Sequence, residues 1–201
     1  MKIEIRRVKK SELNDVIRVE NEAWPEEIRA HLEKFESRIS IFSQGFLAAY
    51  SNGTMAGVST SQIIDYPNMD LTSWEKITDN GFITRSHNPK GNAIYVVSLG
   101  ISNKYQGRGL GSKLIEAQKQ LVNRLGLQFL VLGARIPMYH KHNTIPIHDY
   151  LKLKNEKGEP LDKELRFYLR TGLNIDRVVP NYMEDDPESL NYGVVMVWQN
   201  K

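Results

Sequence analysis

Cysteine is absent from the 201 residues, which removes disulfides, thiolate metal sites and a cysteine nucleophile together. Long apolar runs are absent too, since no stretch reaches the roughly 18 residues that would span a bilayer. The chain begins Met1-Lys2-Ile3-Glu4-Ile5-Arg6-Arg7, with charges where a secretory segment would be apolar. A cytoplasmic location and no membrane partner are the expectations. Nor is there an excess of one charge: 27 Lys and Arg stand against 24 Asp and Glu, a formal net charge of +3. Such a balance attracts nucleic acid weakly unless the charges are segregated, and here they are interspersed. The one basic cluster, Arg6, Arg7, Lys9 and Lys10, follows the alternating Ile3 and Ile5 and reads as the charged end of an edge strand. No nucleic-acid partner is expected.

What is present is an ordinary globular composition, 40% hydrophobic and 25% charged. The length fits a single domain over residues 1–201. Lys2 to Val8 alternates as a half-buried strand, and Ser11 offers an N-cap for a helix with Leu13, Val16 and Ile17 on one face. After Trp24-Pro25, the spacing of Ile28, Leu32, Phe35 and Ile39 predicts a second helix with a core-facing stripe. Phe46 to Tyr50 and Met55 to Ile63 read as a hairpin about Asn52-Gly53, a dipeptide that tolerates positive φ. Residues 65–92, with Pro67, Gly81, Pro89 and Gly91, read as a long excursion with a helical turn near Trp74, and 135–160 as a second excursion. Between them, Ala93 to Ile101 has strand character. Leu110, Leu114, Ala117, Leu121 and Leu125 then line one helical face, and Leu127 to Gly133 is another strand. That order is a βαβ unit with a parallel pair. A helix over Asp162 to Thr171 and strands over Leu173 to Pro180 and Tyr192 to Gln199 complete the chain.

The chemistry concentrates where the central strand hands over to its helix, at Tyr105-Gln106-Gly107-Arg108-Gly109-Leu110-Gly111-Ser112-Lys113. Glycines there let backbone approach a ligand, and free N–H groups at a helix start form an anion site. A phosphate-bearing ligand is the expected occupant, with Arg108 and Lys113 as possible charge-assisted contacts. A Walker loop is ruled out because Gly111-Ser112-Lys113 displaces its lysine. A dinucleotide fingerprint fails because its third glycine falls on Ser112 or Leu114.

Gln106, Gly109 and Gly111 do satisfy Gln/Arg-x-x-Gly-x-Gly/Ala, the acyl-CoA pyrophosphate loop of the GNAT acetyltransferase superfamily. The segment Phe167-Tyr168-Leu169-Arg170-Thr171-Gly172-Leu173 is similar to that family's aromatic-Tyr-x-x-x-Gly-Phe segment, with Leu173 in place of phenylalanine. The element order also resembles the family over nearly the whole chain.

The resemblance implies an α/β fold of mixed α+β character: a mixed central sheet with a splayed parallel pair and flanking helices. It implies acetyl-CoA as acyl donor, no metal, and direct attack by a primary amine of a small molecule or protein. It allows a homodimer. Cofactor contacts would fall on Leu99, Gly100, Ile101, Gln106, Gly107, Arg108, Gly109, Leu110, Gly111 and Ser112. Backbone near Leu99 would meet the thioester oxygen, and Tyr168 would act as general acid toward the leaving thiolate. Several members carry a glutamate base six residues before the position of Ile101. Here that position is Tyr95, a poor base at neutral pH, which leaves the base open and keeps a silent acyl-CoA sensor or a partner-docking module as alternatives.

Two remaining clusters have modest expectations. His140-Lys141-His142 and His148-Asp149 read as loop residues rather than a metal site, since no second ligand cluster matches them. Glu184-Asp185-Asp186 with Glu188 reads as a solvated loop, with attraction of a cationic amine as its functional alternative.

Overall fold

The computed structural model describes residues 2–201. Seven strands form one sheet in the order β1-β2-β3-β4-β5-β7-β6. They are β1 (Ile3–Arg7), β2 (Leu47–Ser51), β3 (Thr54–Ile64), β4 (Ala93–Ile101), β5 (Phe129–Ala134), β6 (Asn174–Val179) and β7 (Gly193–Gln199). All neighbours are antiparallel except β4 and β5. The helices are α1 (Leu13–Ala23), α2 (Leu32–Phe42), α3 (Trp74–Thr78), α4 (Leu110–Arg124), α5 (Ile147–Tyr150) and α6 (Lys163–Arg170). The expected mixed sheet, its parallel pair and the edge position of β1 are all present.

The period-two pattern of the strands divides the core. Along β2, Ala48 and Tyr50 pack with Val16, Val19 and Phe35 of α1 and α2, while Leu47 and Ala49 pack with Leu110 and Leu114 of α4. Along β3 the polar residues follow the same alternation: Ser61 donates to Gln118 of α4, and Gln62 donates to the Ile77 carbonyl of α3. Thus α1, α2 and α3 cover one face and α4 the other. Helix α6 joins α4 on its face, where Lys119 donates to the Thr171 carbonyl.

Three local expectations are corrected. Ser11 caps nothing: residues 10–12 form a 3-10 turn, and it is the Glu12 carboxylate that accepts the Lys9 N–H, at 2.9 Å, while gripping Arg6. Ile28 lies in a separate turn before α2, and Leu32 at its first position is 40% exposed, so only Phe35 of the expected stripe is fully buried. The second excursion is also less irregular than its composition suggests. It holds α5 and a 3-10 turn at Tyr139–His142, tied down by Tyr139 and Tyr150 stacked at 4.8 Å.

The feature that makes a site is a short parallel pair. Strands β4 and β5 are paired only from Ala93↔Phe129 to Val96↔Leu132. At that point a bulge leaves Val97 without a partner, because Thr60 faces Ser98 and Ser61 faces Val96. Bulges sharpen twist and bend a strand, and β4 and β5 diverge beyond it. The β5-facing edge of Val97 to Ile101 therefore keeps backbone donors and acceptors that no strand uses.

Candidate active site

A cleft of about 490 Å³ occupies that divergence, lined by the start of α4 on one side and by Ala23 and Trp24 at the end of α1 on the other. Leu99, Gly100 and Ile101 form one wall, and Gln106, Gly107, Gly109, Leu110, Gly111 and Ser112 form its end. Tyr168 and Phe167 of α6 lie opposite. Every cofactor residue read from the sequence lines this space except Arg108. Its exposed guanidinium instead lies 5.6 Å from the centre of the half-buried Tyr105 ring, which itself lines the cleft. Lys113 is likewise exposed and outside the lining. Charge at the loop thus comes from backbone rather than from these side chains.

The loop is built for backbone approach. Gly107 and Gly109 have φ of 72° and 78° with nothing near a would-be Cβ, so conformation rather than space calls for glycine there. Gly111 is different: a Cβ would lie 3.0 Å from Phe167 Cζ. Helix α4 starts at Leu110 with no side-chain cap, which leaves its first N–H groups free to point at an anion. Gln106 is a brace, since its amide donates to the Ile101 carbonyl at 3.2 Å and to Asn103 at 2.9 Å.

Helix α6 is set in place by Asp162, which is 2% exposed. One carboxylate oxygen caps the helix by accepting the N–H groups of Glu164 and Leu165, at 3.0 and 3.2 Å. The other accepts the Tyr150 hydroxyl at 2.9 Å and the Met138 N–H at 3.2 Å. One buried carboxylate thus fixes both the second excursion and the angle of α6. The Tyr168 hydroxyl has no protein hydrogen-bond partner among the described residues. Burial pushes its phenol well above the ordinary value, with Glu164 and Tyr95 adding to the rise, so it stays protonated and able to donate.

Sequence reasoning missed three side chains of the cleft. The Trp24 indole N–H is buried without an acceptor, against Gly100, where a Cβ would lie 3.0 Å from Nε1. Arg135, just past β5, is forked onto Asp186 with Nε–Oδ2 at 2.8 Å and Nη2–Oδ1 at 2.5 Å, and also meets Glu188 at 2.9 Å. Burial would lower its pKa, but these carboxylates outweigh that and raise it. Glu164 lies one turn before Tyr168, so both share a face of α6. Its nearest charge partner is Arg135, at 4.0 Å. The Glu164 side chain keeps 34% of its surface open where it lines the cleft. Burial pushes the carboxyl up to about 8, opposed by Arg135 and aided by Asp162, Asp186 and Glu188. The only signal for Glu164 in the sequence was its spacing of four from Tyr168.

The expected solvated acidic loop is corrected by the same geometry: Asp186 is 1% exposed and serves Arg135, as does Glu188, so of that run only Glu184 and Asp185 stand outside the pairing. Tyr95 is buried, and its hydroxyl bonds that of Tyr182. Because Tyr95 pairs with Gln62 in the sheet, it faces α3, away from the cleft. Tyr182 lies across that far face over Gly133 and Gly193, where a Cβ would lie 2.0 and 2.3 Å from its atoms. Of the histidines, His140 Nδ1 lies 3.0 Å from both the Pro137 and Glu188 carbonyls, and His148 is exposed. Among the described residues no group of three or more metal-ligand types is clustered.

Comparison with known proteins gives a consistent picture. The profile of the acetyltransferase (GNAT) family matches residues 12–143. The chain is 35% identical over 204 residues to a Bacillus subtilis protein named uncharacterized N-acetyltransferase YkwB, covering 98% of this chain and 88% of that protein. It is 31% identical over 201 residues to the Bacillus subtilis protein named probable hydrolase YhcX, of whose length the match covers 39%. Among solved structures, the loading GNATL domain of CurA from Lyngbya majuscula superposes with a TM-score of 0.88 at 25% identity, over 99% of this chain and 98% of that one.

Proposed function

Because the chain belongs to the GNAT acetyltransferase family, we propose that it transfers the acetyl group of acetyl-CoA directly to a primary amine of a small molecule or protein. One observation carries the reading: a single cleft unites the glycine loop, the unpaired edge of β4 and a protonated tyrosine. The pyrophosphate is held by N–H groups from Gly107 to Ser112, where glycine admits close approach and the helix start favours negative charge. The pantetheine arm runs along Leu99, Gly100 and Ile101 and hydrogen-bonds the edge that β5 has left. Backbone N–H near Leu99 stabilises the oxyanion that forms on the thioester carbonyl. The nitrogen–carbon bond forms as the amine attacks, the carbon–sulfur bond then breaks, and Tyr168 protonates the departing thiolate. A cytoplasmic setting is part of this proposal; among the described residues no helix is long and apolar enough to cross a membrane.

The test is titration with acetyl-CoA followed by an amine screen that reads thiol release. Tyr168→Phe is expected to lower turnover by about 10²-fold or more while leaving acetyl-CoA affinity nearly unchanged. Failure of the unaltered protein to bind acetyl-CoA would sink the reading. Binding without thiol release from any amine would leave the acyl-CoA sensor in its place, the alternative favoured by Tyr95 at the usual base position.

A further inference from the structure

The acyl-transfer reading leaves one task without a residue, removal of a proton from the attacking amine. Tyr95 does not perform it, since it faces away from the cleft and its hydroxyl is engaged with Tyr182. The same tyrosine pair, with Trp74 donating to the Val97 carbonyl at 3.0 Å and its own N–H bonding the Tyr182 carbonyl at 2.6 Å, covers the far side of the sheet behind the bulge. From that side the titratable groups that bear on Tyr168 are Tyr95 and Tyr182, whose hydroxyls bond each other. A base must therefore come from the cleft itself.

Resting on that reading, we propose that Glu164 is the general base of the reaction, taking the proton of the acceptor amine inside the cleft. Three features of geometry support the assignment. Glu164 lines the cleft together with Leu99, Gly100 and Tyr168. Its carboxylate makes no side-chain hydrogen bond to protein among the described residues, and its one ion pair is a loose 4.0 Å contact. That partner, Arg135, is already held by Asp186 and Glu188 at 2.9 Å or less, so Glu164 is left largely unneutralised. The groups that face it are Arg135 from the end of β5, Asp162 at the start of α6, Asp186 and Glu188 from the loop before β7, and Tyr168 on its own helix. Burial is the main cause of the rise of Glu164 to about 8, which Arg135 opposes and the three carboxylates assist. A base with a pKa near the working pH combines adequate ionisation with adequate proton affinity.

The step balances. The bound alkylammonium first gives one proton to the Glu164 carboxylate, and the neutral nitrogen then bonds to the carbonyl carbon. Collapse breaks the carbon–sulfur bond and expels the thiolate, which takes the Tyr168 proton, and the second proton of the now cationic nitrogen restores Tyr168 directly or through one water. Glu164 then releases its proton to solvent. Ammonium and acetyl-CoA have become amide, free thiol and one proton in solution, with both side chains regenerated, and a nucleophile that arrives neutral bypasses the Glu164 step.

Because the ionised form is the active one, activity should rise with pH through about 8 and level off above it. The experiment compares the unaltered protein with Glu164→Gln in thiol-release assays using acetyl-CoA and two nucleophiles: a primary alkylamine, protonated near neutral pH, and hydroxylamine, which is not. Glu164→Gln should lower the alkylamine rate by about 10²-fold or more, abolish the limb near 8, spare acetyl-CoA affinity and affect hydroxylamine much less. Glu164→Asp should recover part of the rate. The thermal midpoint of Glu164→Gln should match or exceed the unaltered one above the limb, since the raised pKa makes the ionised carboxylate unfavourable to the fold. Equal losses with both nucleophiles, an unchanged alkylamine rate, or a surviving limb in the variant would overturn the assignment. No thiol release by the unaltered protein with either nucleophile would instead overturn the acyl-transfer reading, and this one with it.

Discussion

Asp186→Asn tests the charge arrangement of the cleft more directly than any change at Tyr168. The substitution keeps the shape of residue 186 and one oxygen to cap the turn Pro187–Ser189, while it removes the charge and replaces the oxygen that accepts from Arg135 Nε by a donor. Arg135 and Asp186 have side chains 9% and 0% exposed and share two hydrogen bonds of 2.8 and 2.5 Å. Breaking a buried pair by removing one partner typically costs 3–5 kcal/mol, because the other charge is left buried. Here Glu188 at 2.9 Å still holds Arg135 in part, but that glutamate is 50% exposed and pays screening to water. The expected loss therefore sits at the low end, about 3 kcal/mol. At the usual 2–4 °C per kcal/mol for a chain of this length, the thermal midpoint should fall by about 6–12 °C, read by calorimetry or circular dichroism. The same change removes a repelling carboxylate from Glu164 and frees part of Arg135 to attract it. Both effects lower the Glu164 pKa, so the rising limb of the pH–rate curve should move below 8. A midpoint within a degree or two of the unaltered protein would refute the energetic reasoning. A lowered midpoint with an unmoved limb would show the Arg135 node to be scaffold alone.

Two further substitutions probe the walls of the cleft. Gly111→Val places methyl groups where a Cβ already comes within 3.0 Å of Phe167, so acetyl-CoA affinity should fall at least tenfold, about 1.4 kcal/mol, in isothermal titration; an unchanged affinity would show that this stretch of wall is not part of the binding site. Tyr182→Phe leaves the buried Tyr95 hydroxyl without its side-chain partner, for about 1–3 kcal/mol in urea unfolding, with acetyl-CoA affinity expected to hold because the pair lies on the far face.

The parts of this site that are legible in sequence are those whose chemistry is local. Gly107 and Gly109 serve a backbone conformation, which adjacent residues specify, and Tyr168 sits in a helix whose cap, Asp162, is only six positions away. The helix period even placed Glu164 on the Tyr168 face, although nothing in a bare spacing says that its carboxyl lacks a partner. Arg135 and Asp186 are another matter. They stand 51 residues apart and meet only because β5 and β7 are neighbours in the sheet, a pairing no local pattern announces. The acidic run therefore reads as a solvated loop until the fold buries one member of it. Gly133 and Gly193 are similar, since each is a small residue in a strand until Tyr182 is seen lying over both. Arg108 fails in the opposite direction: a cation beside a phosphate loop is a reasonable ligand contact by composition, but its side chain leaves the loop on the solvent side and stacks on Tyr105.

The bulge at Val97 has consequences on both faces of the sheet. On the α4 side, the departure of β5 frees the backbone edge of Leu99 to Ile101, which is what a thioester and its amide-bearing arm require. On the other side, the same twist brings the Val97 carbonyl to the Trp74 indole, and Tyr182 spans from β7 to Tyr95 on β4. A split sheet could admit an acceptor through the gap from behind; this one has large buried side chains there instead. In the proposed reading the acceptor enters through the cleft itself, whose lining includes Trp24, Arg135 and Lys163. A base on α6 suits that route and a base on the inner half of β4 does not, which gives a physical reason for finding tyrosine at position 95 and an unneutralised glutamate at position 164.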